Sequence, residues 1–378
     1  MALHQLNIVF LVCLLSALLS WTLPKKFQVR SIGIITAFFL SWYAPYSFFI
    51  LFFTSLGSYL VWHKTTILPR SKLLICIVIQ FAILFLFKSY IAFSIRNNFF
   101  IPLGLSYYLF KQIHYSFEMY KRTLSAHSGE EYFCYLFFMP VILVGPINRF
   151  PDFLKDLRRR RWNSELVSLG FERCLYGYAK IVIIGNYCLT YEGNKAILYF
   201  SEDHVWWSNY LDIIRFPLNA YFQFAGYSDI AIGMSMVMGF RIIENFNNPF
   251  WSGNMNEFWK KYHISLSSWC RDYVFTPVAS YTRKPLLGLV LAVLVLSLWH
   301  EVSLRYFLWG CLQVAGILLT SYFAGFQILG GNRKSSLLKK GLKVLVVFHF
   351  FALSCVLIRQ NSWEQVVQKF KLFTYWYV

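Results

Sequence analysis

Acidic side chains are scarce in this sequence: 17 Asp and Glu stand against 36 Lys and Arg, leaving a formal net charge of +19 over 378 residues. Charge of either sign accounts for only 14% of the chain, against 57% hydrophobic and 20% aromatic residues. With a mean hydropathy of +0.49, this excludes an ordinary soluble domain, in which about a quarter of residues are charged. Three familiar catalytic signatures are missing as well: the G-x-x-x-x-G-K-[ST] phosphate loop, the G-x-S-x-G elbow and H-E-x-x-H. Their absence argues against a nucleotide-driven pump, a serine hydrolase and a zinc protease. The eight cysteines, at 13, 76, 134, 174, 188, 270, 311 and 355, show no paired spacing. They are expected to be small buried apolar residues, not a disulfide frame, and no metal site is expected. With no internal repeat, low-complexity linker or soluble appendage, residues 1–378 are expected to form a single membrane-embedded domain.

What is present is a succession of apolar stretches long enough to cross a hydrocarbon core. They fall near 5–23, 72–93, 165–190, 211–240, 304–325 and 342–358. The stretch 31–62 is too long for one span and is divided by Tyr43-Ala44-Pro45-Tyr46, which predicts a tight helical hairpin. Segments 99–119 and 132–148 are interrupted by Pro102, Gly104, Pro140, Gly145 and Pro146. Broken helices at membrane depth are tolerated where they are buried in protein or line a cavity. The expected fold is therefore all-α and polytopic, with about ten or eleven spans plus re-entrant and amphipathic segments.

The basic residues mark the topology and not a nucleic-acid partner. Lys25, Lys26 and Arg30, then Lys64, Arg70 and Lys72, Lys121 and Arg122, Arg158 to Arg161, and Arg333, Lys334, Lys339 and Lys340 all lie in short connections between apolar segments. That is the positive-inside pattern. Loop 191–204 carries Glu192, Glu202 and Asp203 against Lys195 and is placed outside, as is the N-terminus. A full crossing by 132–148 would put Arg158 to Arg161 on the wrong face, so this segment is expected to be re-entrant. Residues 1–24 lack a convincing cleavage site and are expected to be a retained first span.

His300 follows Leu286–Trp299, a run of fourteen residues with no charge. An ionisable group at membrane depth is costly and usually serves chemistry, proton movement or ligand binding; the bland alternative is a hydrogen bond between helices. The second informative region is Glu244–Pro277, where polar and aromatic residues alternate. Asn254 followed by Glu257 resembles a capping box and predicts a helix from Met255. Along it Trp259, Tyr262, His263, Leu266, Cys270 and Tyr273 share one face, with Lys261, Ser265, Ser268 and Asp272 opposite. A neutral imidazole takes a proton from a hydroxyl as that hydroxyl attacks an acyl carbon. A thioester donor then needs no covalent enzyme intermediate if both substrates are held in line. Burial is expected to lower the His300 pKa and keep it neutral. A proton-coupled transporter would be expected to carry more intramembrane carboxylates than Asp229, Glu118 and Asp212.

The segment Glu244–Tyr273, the dipeptide Trp299-His300 and Leu308-Trp309-Gly310 resemble the membrane-bound O-acyltransferase family, in its alginate O-acetyltransferase and teichoic-acid D-alanyl transferase branch. So do I-P-L-G-L-S-Y-Y-L-F at 101–110, F-F-M-P-V-I-L-V-G-P-I-N-R-F at 137–150 and Y-S-D-I-A-I-G at 227–233, so that the likeness covers roughly residues 100–310. The resemblance implies helices around a central tunnel, His300 as catalytic base and His263 as its helper. Trp259, Trp269, Arg271, Asp272, Asp229, Trp299 and Glu301 are expected to bind substrate or brace the site. Arg271-Asp272 reads equally well as a structural ion pair, and Asn247-Asn248 as the turn before Pro249. The chain departs from the family at Glu301, where glycine is common, and at Val278 to Lys284, which replace a glycine-rich loop.

The resemblance further implies transfer of a short acyl group, acetyl above all, from a cytoplasmic acyl thioester to a hydroxyl of an extracytoplasmic glycan or glycolipid. The donor substrate would be acetyl-CoA or an acyl carrier, with no bound cofactor. Expected partners are the lipid bilayer of the cell membrane and either an extracytoplasmic acyl-relay protein or a cytoplasmic carrier protein. D-alanyl transfer from a carrier-protein thioester is the alternative within the class. A transporter or flippase of a polar lipid-linked substrate is the alternative outside it.

Overall fold

A computed structural model describes residues 3–93, 104–329 and 337–372, all of them helix or connection with no strand. Pro102 and the basic pair Arg333-Lys334 lie outside these described residues. The chain divides into two compact units, one of residues 1–177 and 227–244 and one of residues 178–226 and 245–378.

The first unit contains α1 (Leu3–Thr22), α2 (Lys25–Tyr43), α3 (Pro45–Lys64), α4 (Pro69–Phe93), α5 (Leu105–Lys121), α6 (Gly129–Leu136), α7 (Phe150–Arg159) and nearly all of α8 (Ser164–Ala179). The hairpin at Tyr43–Tyr46 forms as expected. α2 ends at Tyr43, and Pro45, whose fixed φ suits a first helical position, opens α3. Segment 132–148 is not one helix: α6 stops at Leu136 and a single tight turn, Met139–Val141, follows. Tyr135 Oη, near its start, donates to Asn148 O, at its end, at 2.8 Å, and Glu131 is held by Arg158 at the end of α7, at 2.8 Å. The two ends of the segment therefore lie together, as a re-entrant path requires.

Arg160, from the basic cluster read only as a topology marker, also closes helix ends. It donates to Met238 O at 2.7 Å and to Ser20 O at 2.9 Å, while its guanidinium lies 3.6 Å from the Trp21 ring centroid. Carbonyls at a helix C-terminus lack intrahelical partners, and a cation there satisfies them.

Chain continuity passes from α8 through a wide-turned stretch, Lys180–Glu192, to α9 (Gly193–Asp203) and α10 (Val205–Val237). The last part of α10 belongs to the first unit, where Gly233 meets Gly170 of α8. A Cβ on Gly170 would lie 2.7 Å from Gly233 O, and one on Gly233 would strike Gly170 O and Cys174 Sγ. Small residues of this kind let helices approach closely where no hydrophobic effect drives them together.

The second unit continues with α11 (Met255–Lys261), α12 (Ile264–Cys270), α13 (Thr276–Thr282), α14 (Pro285–Leu298), α15 (Leu304–Leu329), α16 (Leu337–Ser354), α17 (Val356–Arg359) and α18 (Trp363–Lys371). Asp212 of α10 accepts from Arg359 and Lys369, each at 2.7 Å, and from Arg215 at 3.1 Å. These pairs fasten α10 to both C-terminal helices. Five described helices are long and apolar enough to cross a bilayer: His4–Thr22, Pro45–Lys64, Pro69–Lys88, Leu304–Tyr322 and Leu337–Arg359. This is fewer than the expected ten or eleven. α2 carries Lys25, Lys26 and Arg30, α14 has only 14 residues, and α10 is studded with Asn209, Asp212, Arg215 and Asn219. The chain is a multi-pass, all-α membrane protein.

The glycine crossing gives a direct test. Gly233→Val must separate α8 from α10, and forcing bulk into a closed contact costs about 1–3 kcal/mol. The melting temperature in detergent is expected to fall by several degrees, whereas an unchanged value would show that the crossing is not closed.

Candidate functional site

Asn254 caps α11 as expected, accepting from Glu257 N at 2.8 Å, while the Glu257 carboxylate reaches back to Gly253 N at 3.1 Å. The single amphipathic helix expected beyond Met255 does not form. α11 ends at Lys261, α12 begins at Ile264, and His263 lies between them with φ +49° in the left-handed region. A non-glycine residue is held there only when its surroundings over-determine it, and such positions cluster at functional sites.

The neighbours of His263 supply that constraint. Asn245, fully buried, accepts at its Oδ1 from Ser265 Oγ at 2.9 Å and from Ser265 N at 3.3 Å, with His263 Nδ1 at 3.2 Å. Ile264 N adds a bond to Asn245 O at 2.8 Å. An amide oxygen only accepts, so His263 carries its proton on Nδ1 and presents a lone pair at Nε2. That Nε2 is buried and has no protein partner. Phe224 packs edge-on to the ring at 4.7 Å between centroids, and Trp299 does so at 6.1 Å. His263 lies outside the five spanning helices. Burial, and after it the neighbouring His300, lowers its pKa from 6.5 to about 3.

His300 follows the end of α14 in the short turn that leads to α15, and its ring lies 4.1 Å from that of Trp299 and 5.9 Å from that of Tyr306. Trp299 thus contacts both imidazoles. The expected burial of His300 is not found: its side chain is exposed. α14 ends at Leu298, so the ring projects from a connection and not from the apolar helix that precedes it. The turn is locked from below, where Ser297 Oγ donates to Tyr306 O at 2.8 Å. Gly310 of α15 packs against Ser297 so tightly that a Cβ would lie 2.6 Å from its Oγ.

The remaining candidates divide between this cluster and other tasks. Trp259 packs 6.0 Å from Trp309, and its buried Nε1 has no protein partner; it borders a cavity of about 420 Å³ with Asn256, Ser268 and Arg271. Trp309 Nε1 in turn donates to Ser354 Oγ at 3.2 Å. Trp269 is fully buried against Tyr273 and braces α12. Arg271 and Asp272 bond to each other at 2.8 Å with the guanidinium largely exposed. Glu301 meets Arg305 one turn along, at 3.4 Å. Asp229 belongs to the first unit, where Arg173 donates to it at 2.6 Å and to Glu244 at 2.5 Å. Two contributors escaped the sequence reading. Asn245 sat in an asparagine-rich turn with no periodic signal, and Tyr306 looked like any aromatic of a spanning helix.

The profile of the membrane-bound O-acyltransferase family matches residues 27–360. A probable alginate O-acetylase of Pseudomonas aeruginosa is 28% identical over 283 residues, covering 73% of this chain and 52% of that protein. A teichoic acid D-alanyltransferase of Bacillus subtilis is 28% identical over 278 residues, 66% of each chain. A peptidoglycan O-acetyltransferase of Helicobacter pylori is 25% identical over 306 residues, 72% of this chain and 56% of that one. The chain thus spans about half the length of the alginate relatives it matches.

The His263 environment sets a pH dependence. An unfolded histidine protonates near 6.5 and the folded one near 3. In this window the unfolded chain binds the extra proton, so native stability falls as the pH drops from 6.5 toward 3. Melting temperatures at roughly pH 7 and pH 5 should show that fall in the wild type and a smaller one in His263→Gln. Equal slopes would contradict the buried, neutral imidazole.

Proposed function

The chain belongs to the membrane-bound O-acyltransferase family, and on that premise we propose that it moves a short acyl group, acetyl, from a cytoplasmic thioester to a hydroxyl of an extracytoplasmic glycan or glycolipid. Its place would be the cytoplasmic membrane. The donor is acetyl-CoA or an acyl carrier, and an acyl-relay protein outside is the natural onward acceptor. The observation that carries this reading is the pair of histidines that both pack against Trp299. One offers a buried, unpartnered Nε2 and the other an exposed ring.

The two are unequal as bases. A catalytic base works best with a pKa near the operating pH, and His263, at about 3, is too weakly basic to hold a proton. Its lone pair instead accepts a hydrogen bond from the incoming hydroxyl or from the donor arm and fixes its direction. His300 takes the hydroxyl proton as oxygen attacks the thioester carbon. The C–S bond then breaks, and the departing thiolate recovers that proton from the His300 imidazolium. No group on the enzyme is acylated, because holding both substrates in line supplies the entropic part of the acceleration.

D-alanyl transfer from a carrier-protein thioester uses the same geometry, and the Bacillus subtilis relative supports it as the second reading. The transporter reading gains less support. Asp229 and Asp212, the carboxylates it would use, are each held by arginine at 2.6 and 2.7 Å.

The test is acyl transfer by the full chain in proteoliposomes, with a labelled acetyl or D-alanyl thioester and a hydroxyl acceptor. Removing a general base slows proton transfer about 10²- to 10⁴-fold, so His300→Ala should lose label transfer by that order while keeping its melting temperature. His263→Gln should raise KM and lower kcat less severely. Transfer undiminished in His300→Ala would overturn the assignment, and substrate movement without transfer would favour the flippase.

A further inference from the structure

In the first unit, well apart in sequence from both histidines, a cavity of about 400 Å³ lies between α2, α3 and α6. That size is typical of small-ligand pockets. Its walls are Ile34 and Ala37 of α2, Phe48 and Phe52 of α3, and Phe133 and Phe137 of α6. An apolar space of this kind holds water poorly. The helices beside its mouth present Ile34, Phe38, Phe49 and Phe53, all more than half exposed, which in a membrane protein is a face turned to lipid. At the rim stand Arg30 and Glu130, joined at 2.7 Å with side chains 43% and 55% exposed.

The geometry of the rim is uneven. Arg30 directs both Nε and Nη2 to the same Glu130 oxygen, Oε1, at 3.1 and 2.7 Å. Arg30 Nη1 and Glu130 Oε2 take no part in these two bonds. Arg30 lies near the start of α2, beside Lys25 and Lys26, so the positive-inside reading sets this rim at the cytoplasmic surface. The rim therefore offers one donor for a phosphate and one acceptor for an ammonium, a few ångströms apart, above an apolar slot.

We infer that this cavity is a binding site for a phospholipid with an aminoethyl headgroup, one acyl chain lying among Phe48, Phe52, Phe133 and Phe137 and the headgroup clasped between Arg30 and Glu130. An anionic headgroup meets the repulsion of Glu130 and gains only Arg30. A trimethylated headgroup has no N–H to give Glu130 Oε2. Specificity thus comes from the acidic partner, which penalises the wrong headgroup while rewarding the right one.

Purified full-length protein would be exposed in turn to phosphatidylethanolamine, phosphatidylglycerol and phosphatidylcholine of identical acyl chains. Retained lipid would be counted by native mass spectrometry and melting temperatures recorded. Phosphatidylethanolamine is expected to be retained about threefold over the others, the preference that one exposed ion pair supports, and to raise the melting temperature. Glu130→Gln, an exposed and conservative change, should abolish that preference. Ala37→Phe should fill the slot and remove retention of all three lipids without lowering the lipid-free melting temperature. Equal retention of the three lipids by the wild type, or undiminished retention by Ala37→Phe, would overturn the assignment.

Discussion

Everything proposed for the site depends on one carbonyl oxygen. Asn245 Oδ1 receives Ser265 Oγ, Ser265 N and His263 Nδ1, and through them it fixes three things together. It holds the strained backbone between α11 and α12, it starts α12, and it decides which imidazole nitrogen keeps the proton. A buried polar group left unmatched is expensive, so this arrangement persists only as a unit. The cost that remains open is the lone pair at Nε2, which is the atom a substrate would satisfy.

The helical architecture and the broad location of the site were legible in the sequence for a physical reason. Long apolar stretches, hairpin punctuation at Ala44-Pro45 and the Asn254-Glu257 cap are local signals, and local signals survive folding. That 132–148 does not run as one crossing helix was legible too, because charge placement constrains topology. The break at His263 was not. Periodicity assigned it to a continuous helical face, and nothing local reveals that Asn245, eighteen residues earlier, would pull it out of the helix. The exposure of His300 was hidden for a related reason: hydropathy reads an apolar run and cannot tell its last buried turn from the connection after it. Arg271 and Asp272 carried signals of charge with each other as neighbours in sequence, and the structure pairs them.

The family match and the geometry bear on different parts of the question. The match covers residues 27–360 and sets the class of chemistry, while the relatives divide between O-acetylation and D-alanyl transfer. The geometry distinguishes the two histidines. A ring locked in one tautomer by a buried amide suits directional acceptance, and a ring projecting from a turn suits proton exchange. Trp299 touches both rings, at 6.1 and 4.1 Å between centroids, so that the two imidazoles share one indole neighbour.

The ion pair between Glu131 and Arg158 bears on how the protein is assembled. Glu131 and Arg158 hold each other beside residues 132–148, a segment that carries no charge of its own. Spanning helices insert individually and then pack, whereas the eight residues of α6 are too few to cross. The segment is packed instead: Tyr132, Leu136, Phe138 and Met139 are fully buried, so its fold depends on the helices that surround it.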